Sequence, residues 1–234
     1  MHKKLCLLEN WGAVLLAFFL FPTMAQSQDT RQHFWIDAYN YFDLGPKWIY
    51  EFNPGLKIQA NGERHTRYKF RNSLSYALSE KVSLINGLDY HMSADKAHKG
   101  NWEIRAWQAV KLKCLLFKTV PIANLLAFEE RVMRFLGETR ASLMGRVRYE
   151  FGVNVPLMVN PLYLPLSQDV YLNTGKSALR FAHISRTNLG LGCRVNDFIR
   201  AEVLFVKQHT LNYGERTFRL TDNLFRFKLR YNWN

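Results

Sequence analysis

The chain is predicted to be all-β: an antiparallel up-and-down transmembrane β-barrel of ten or twelve strands behind a cleaved signal peptide. Three observations predict it. The sequence opens with a short export leader; the rest sorts its side chains with a period of two, bulky apolar residues on one face and cations on the other; and several of these runs reach the roughly 9–11 residues a β-strand needs to cross a bilayer. The composition agrees. Of 234 residues 48% are hydrophobic and 22% charged, which excludes a disordered chain, and aromatics at 15% favour pleated surfaces. A mean hydropathy of -0.22 excludes a bundle of transmembrane helices.

The leader comes first. Lys3 and Lys4 precede an apolar run from Ala13 to Phe21, followed by Pro22 and the small residues Ala25 and Ser27. This is the layout of a secretory signal, and the run is shorter than the roughly 20 apolar residues of a membrane helix. Residues 1–27 are therefore read as signal peptide and 28–234 as one barrel domain. Cys6 lies ahead of the apolar run, where no lipoprotein cysteine would stand, and leaves with the leader.

The exported part then alternates. Trp48, Tyr50, Phe52, Leu56 and Ile58 oppose Lys47, Glu51, Asn53 and Lys57; Tyr68, Phe70, Leu74, Tyr76 and Leu78 oppose Arg67, Lys69, Arg71, Ser73 and Ser75. Further on, Leu143, Val147, Tyr149, Phe151 and Val153 oppose Arg146, Arg148 and Glu150, and Phe225, Phe227, Leu229, Tyr231 and Trp233 oppose Arg226, Lys228 and Arg230. On a helix these apolar positions would scatter round the cylinder. About eleven such runs can be marked, and because bacterial single-chain barrels have even strand numbers the expectation is ten or twelve. The ambiguous stretches are Cys114 to Leu126, interrupted by Pro121, and Val155 to Leu166, crowded by Pro156, Pro161 and Pro165.

Short polar breaks at Leu44 to Lys47, Asn61 to Glu63, Ser79 to Lys81, Gly137-Glu138 and Asn196-Asp197 read as hairpin turns. Longer ones fall at Ser93 to Asn101, Thr174 to His183 and His209 to Arg216. Short turns at one end and long loops at the other are the plan of an outer-membrane barrel, and an even strand number would leave both chain ends in the periplasm. A soluble barrel would turn its apolar face inward. The separation of aromatics from consecutive cations favours lipid outside and charge inside, with Trp48, Tyr50, Tyr90, Tyr149, Tyr231 and Trp233 as interfacial aromatics.

These residues resemble a family of bacterial outer-membrane barrel proteins known as domain of unknown function 2490. The resemblance rests on Trp35, Tyr76 with Leu78, Gly87-Leu88-Asp89-Tyr90, Glu130-Arg131, Arg146-Val147-Arg148-Tyr149, Asp169-Val170-Tyr171-Leu172-Asn173, and Arg186 followed by Gly190 and Gly192. It implies a barrel in the outer membrane of a diderm bacterium and no established activity. The chain ends Tyr231-Asn232-Trp233-Asn234, one residue past the aromatic on which such proteins usually finish for the barrel-assembly machinery.

Function is read from the cationic face. Arg71, Arg105, Arg146, Arg148, Arg186, Arg194, Arg200, Arg226 and Arg230 are expected to line the lumen, most of them paired with Glu103, Glu150, Glu202 or Asp89, because unpaired charges in a narrow barrel are costly. Excess cations make an anionic solute the expected cargo, whether the barrel is a narrow anion-preferring pore or a structural or binding barrel; outer-membrane lipid and the assembly machinery are the other expected partners. The formal charge of +13 would ordinarily suggest nucleic acid, but the cations are spaced singly along strands without a recognition motif, so no nucleic acid is expected. The alternative is a lipid-modifying hydrolase. His91, Ser93 and Glu103, or His183, Ser185 and Asp197, form His-x-Ser pairs with an acid, a spacing similar to that of lipid A deacylase barrels. Glu129 and Glu130, adjacent on a strand, face opposite ways and cannot share a proton. Cys114 and Cys193 are expected to act as small hydrophobes, and neither metal nor cofactor is expected.

Overall fold

A computed structural model of the chain describes residues 30–61, 65–94, 101–117, 119–135, 137, 139–157, 161–174, 182–212 and 217–233. The leader, Gly62, Glu63 and Glu138 lie outside the described residues. Eleven strands follow one another: β1 (Arg31–Gly45), β2 (Trp48–Gln59), β3 (Thr66–Ala77), β4 (Val82–Ser93), β5 (Trp102–Leu116), β6 (Val120–Arg134), β7 (Ser142–Pro156), β8 (Leu162–Thr174), β9 (His183–Arg194), β10 (Ile199–Leu211) and β11 (Arg219–Trp233). Each pairs antiparallel with the next, and β1 closes the barrel against β11.

The strand count corrects the expectation of ten or twelve. The prolines that blurred the boundaries sit where a missing N–H costs least: Pro121 is the second residue of β6, Pro156 the last of β7, and Pro161 precedes β8. Pro165 lies inside β8, and there the pairing with β9 lapses between Tyr163↔Gly192 and Leu166↔Leu189. An odd number of up-and-down strands forces one parallel pair. β1 and β11 supply it, in register from Arg31↔Asp222 to Phe42↔Trp233. Arg31 and Trp233 therefore stand at opposite ends of the barrel, which corrects the expectation that both chain ends share a side.

The seam is held by chemistry as well as by the ladder. Inside it the Arg226 Nε donates to Asp37 at 2.7 Å and the His33 Nε2 meets Asp222 at 2.7 Å. Outside it Phe34 stacks on Phe225 and Phe42 on Trp233, with ring centroids 6.0 and 5.8 Å apart.

The connections sort by length. At the end where β1 finishes, the chain turns through residues 46–47, 78–81, 117–119, 157–161 and 195–198; at the other end through 60–65, 94–101, 135–141, 175–182 and 212–218. The breaks at Asn61 and Gly137 thus join the long loops, because their flanking strands end there.

Polarity is inverted relative to a soluble barrel. The outward Tyr68, Phe70 and Leu74 of β3 are each more than a third exposed, while the alternating Lys69 and Ser73 are buried. An aromatic belt, Trp48 on Tyr76 and Tyr231 on Trp233 with centroids 4.6 and 4.1 Å apart, girdles the short-turn end. Inside, glycines make room for rings: the Trp107 side chain lies over Gly87 and that of Tyr163 over Gly192, each pair directly opposite across a strand pair.

Gly190 tests the packing. A Cβ there would lie 2.0 Å from the Val203 carbonyl oxygen, which is backbone and cannot rotate away, whereas at Gly152 the nearest atom is 3.7 Å off. Gly190→Ala is expected to destabilise the barrel by about 1–3 kcal/mol. Gly152→Ala should stay within about 0.5 kcal/mol of the parent. The temperature at which the compact band on a semi-native gel converts to the unfolded one reads both.

Candidate functional site: a basic lumen

The alternation that sends apolar side chains outward sends the charged ones into a cavity of about 950 Å³. It is lined by fifteen lysines and arginines against seven aspartates and glutamates. Glu80, Lys81, Leu115 and Pro121 place its mouth at the short-turn end. Toward the long loops, the inward Met133 and Met144 on adjacent strands are 3% and 2% exposed and lie in a layer with Glu103 and Arg131.

Carboxylates organise the wall. Glu103 of β5 receives Arg67, Arg105 and Arg131 from three strands, the Arg105 Nε at 2.6 Å. Asp37 of β1, fully buried, holds Lys69 and Arg226. Glu129 accepts the Arg146 Nε at 2.8 Å, and Arg148 reaches Glu150 and, at 3.1 Å, Asp169. Asp89 accepts the Trp107 indole N–H at 2.8 Å with Arg71 3.5 Å away, and Glu202 accepts Tyr163 at 3.0 Å beside Arg230 at 3.3 Å. A buried carboxylate surrounded by donors is tolerable only because each lone pair is used.

The guanidiniums also lie on rings. Arg146, Arg186 and Arg148 approach the Tyr171 ring at 4.6, 5.0 and 5.4 Å, Arg226 the Trp35 ring at 3.9 Å and Arg71 the Trp107 ring at 4.2 Å. Such stacking holds a cation in place without neutralising it. Six lining cations, Lys57, Lys81, Lys111, Lys113, Arg186 and Arg200, have no ion-pair partner among the described residues. Arg186 instead donates to Gln208 at 2.7 Å and to the Tyr171 hydroxyl at 3.4 Å.

Of the nine arginines singled out in the sequence, Arg71, Arg105, Arg146, Arg148, Arg186, Arg200, Arg226 and Arg230 line this cavity. Arg194 does not; it ends β9 at the short-turn rim and is exposed. The sequence points to Glu129 as a partner for lumen arginines, which it is for Arg146, but not to Asp37, Asp169 or Asp222 as counter-charges. Asp37 was signalled by the alternation of His33 and Asp37 against Phe34, Ile36 and Ala38, but its partners are fixed only by barrel closure.

The first hydrolase set is brought together, His91 standing opposite Glu103, but without a hydrogen-bonded chain, and the second is dispersed. His91 and Ser93 share the inward face, but Glu103 is engaged by three arginines and the buried His91 Nε2 has no hydrogen-bond partner. His183 and Ser185 face outward, His183 Nδ1 accepting the Asn173 backbone N–H at 3.1 Å and Ser185 accepting from the Gln168 amide at 2.8 Å. Asp197 lies in the turn after β9, at the opposite end of the strand from His183. Cys114 and Cys193 are free, and among the described residues no three His, Cys, Asp or Glu side chains gather as metal ligands.

Comparison with known proteins gives one match. The family model described as "Protein of unknown function (DUF2490)" covers residues 32–219. No curated protein and no solved structure matches the chain.

Removing the Glu103 charge is the sharpest test of the wall. Glu103→Gln leaves the guanidiniums of Arg67, Arg105 and Arg131 without their shared acid and is expected to cost about 3–5 kcal/mol of stability, measured by urea unfolding followed through tryptophan fluorescence.

Proposed function

The chain belongs to the DUF2490 family, whose description names no activity, and we propose that it is an outer-membrane barrel whose lumen is a narrow anion-preferring pore. The observation that carries this reading is the excess of cations over acids round a cavity enclosed by an apolar wall. Low-dielectric walls focus the field of the six lining cations that lack an acid, so an anion entering at the short-turn mouth is stabilised and a cation repelled. Strands of 12–15 residues exceed the roughly 9–11 required to cross a bilayer. The exposed aromatics at the short-turn end, with Trp233 next to the carboxyl terminus, support a periplasmic short-turn end and handling by the barrel-assembly machinery. In this orientation the long loops face outward, and the buried layer of Met133, Met144, Arg131 and Glu103 lies between the cavity and that end.

Planar-bilayer recording across a roughly tenfold KCl gradient tests the proposal, with a reversal potential of the sign set by chloride permeability expected. Lys57→Gln with Arg186→Gln should move that potential toward zero, and Met144→Ala should raise the unit conductance. A cation-selective sign, or no conductance from inserted protein, overturns the pore. Orientation is read separately. An epitope inserted before Thr30 should be accessible on intact cells and one appended after the last residue only after permeabilisation.

A further inference from the structure

One sector of the outer wall departs from the pattern of the rest. On β8 to β11 the outward Leu164, Leu166, Leu189, Val203, Phe205 and Phe225 border a groove of about 400 Å³. The groove has a local cause. Pro165 has no N–H to give β9 and Gly190 no side chain, so where the two strands pass each other the ladder lapses and the wall is thin.

The next outward row toward the long loops is polar. Gln168, Thr187, Lys207 and Asn223 stand side by side across the four strands, with Ser185 and His209 paired one step further on. The Thr187 hydroxyl donates to the Gln168 carbonyl oxygen at 2.7 Å while the amide of Gln168 donates to Ser185 at 2.8 Å. The row is therefore a built surface rather than a scatter of polar side chains. Elsewhere on the outside Asn72 and Asn124 accept from Tyr50 and Tyr149, and Asn86 and Gln108 stand opposite each other on β4 and β5. Lys207 brings a positive charge to the top of an apolar groove, four residues from the end of β10.

We propose that this sector binds a single anionic membrane lipid, its phosphate at the Lys207 and Thr187 row and one acyl chain in the groove over Gly190. The order along the strands is that of the ligand: cation and hydroxyls toward the long-loop end, hydrocarbon beneath. Lys207 lies where a lipid-facing cation is tolerated because the headgroup region is within reach. The inference rests on the reading of the chain as a membrane barrel but does not involve the lumen.

The full-length protein in dodecylmaltoside micelles is titrated with dioleoyl phosphatidylglycerol, dioleoyl phosphatidylcholine and inorganic phosphate, and bound molecules are counted by native mass spectrometry. One phosphatidylglycerol per barrel is expected, held roughly tenfold more tightly than phosphatidylcholine of the same chains. Lys207→Gln should erase that difference, and Val203→Trp, which fills the groove, should weaken both lipids. Equal affinity for the two lipids, retention of the preference in Lys207→Gln, or inorganic phosphate binding as well as the lipid would overturn the site. A barrel that stays in solution without detergent would sink the membrane reading itself. Inserted, anion-selective protein without a lipid preference would sink only this site.

Discussion

A wall one strand thick has two sides, and here bulky apolar side chains take the outer one while most strand-borne charges go to the inner. That constraint governs the rest of the molecule. Fifteen cations could not be crowded into the lumen without carboxylates to receive them, and the carboxylates in turn sit where several strands can reach one acid. Glu103 serves β3, β5 and β6, and Asp37 serves β3 and β11. The ion pairs are thus struts between strands, each costly to break because both charges are out of water. What remains after pairing is the small positive surplus that gives the cavity its character.

Rings hold the lumen cations beside the acids, and of the unpaired ones Arg186 lies against both Tyr171 and Trp35. Tyr171 carries three arginines on its face and edges, and Trp35 lies under Arg226 and near Lys69 and Arg186. A guanidinium on a π-face is ordered but still charged. The lumen is accordingly both stiff and electropositive, a combination that acid partners alone could not provide. Glycine is the counterpart of those rings: Trp107 and Tyr163 fit inside only because Gly87 and Gly192 leave the opposite strand bare.

Much of this was legible in the sequence because a strand's period of two is local. Tyr68, Phe70 and Leu74 declare their face by their spacing, and Lys69 and Arg71 the other, without any knowledge of neighbours. Pairing is not local. Asp37 meets Arg226, 189 positions away, only because β1 and β11 close the barrel in one register. The same non-locality hid the loss of the second hydrolase constellation, since Asp197 follows Ser185 closely in sequence but lies across the length of a strand. Strand number failed for another reason: prolines 121, 156 and 165 interrupt the alternation at strand ends and within β8, so boundaries there depend on the partner strand. An even count was then assumed, and the parallel seam with it was lost.

That seam bears on descent. Antiparallel barrels enlarge by whole hairpins, each adding two strands and returning the chain to the side it left. Eleven strands are five hairpins and one strand over, so this barrel is not reached from a closed even one by hairpin duplication alone. One strand over an even number puts the two ends of the chain on opposite sides of the wall, and at the junction this creates, Asp37 with Arg226 and Asp222 with Arg31 tie together the two strands that meet there.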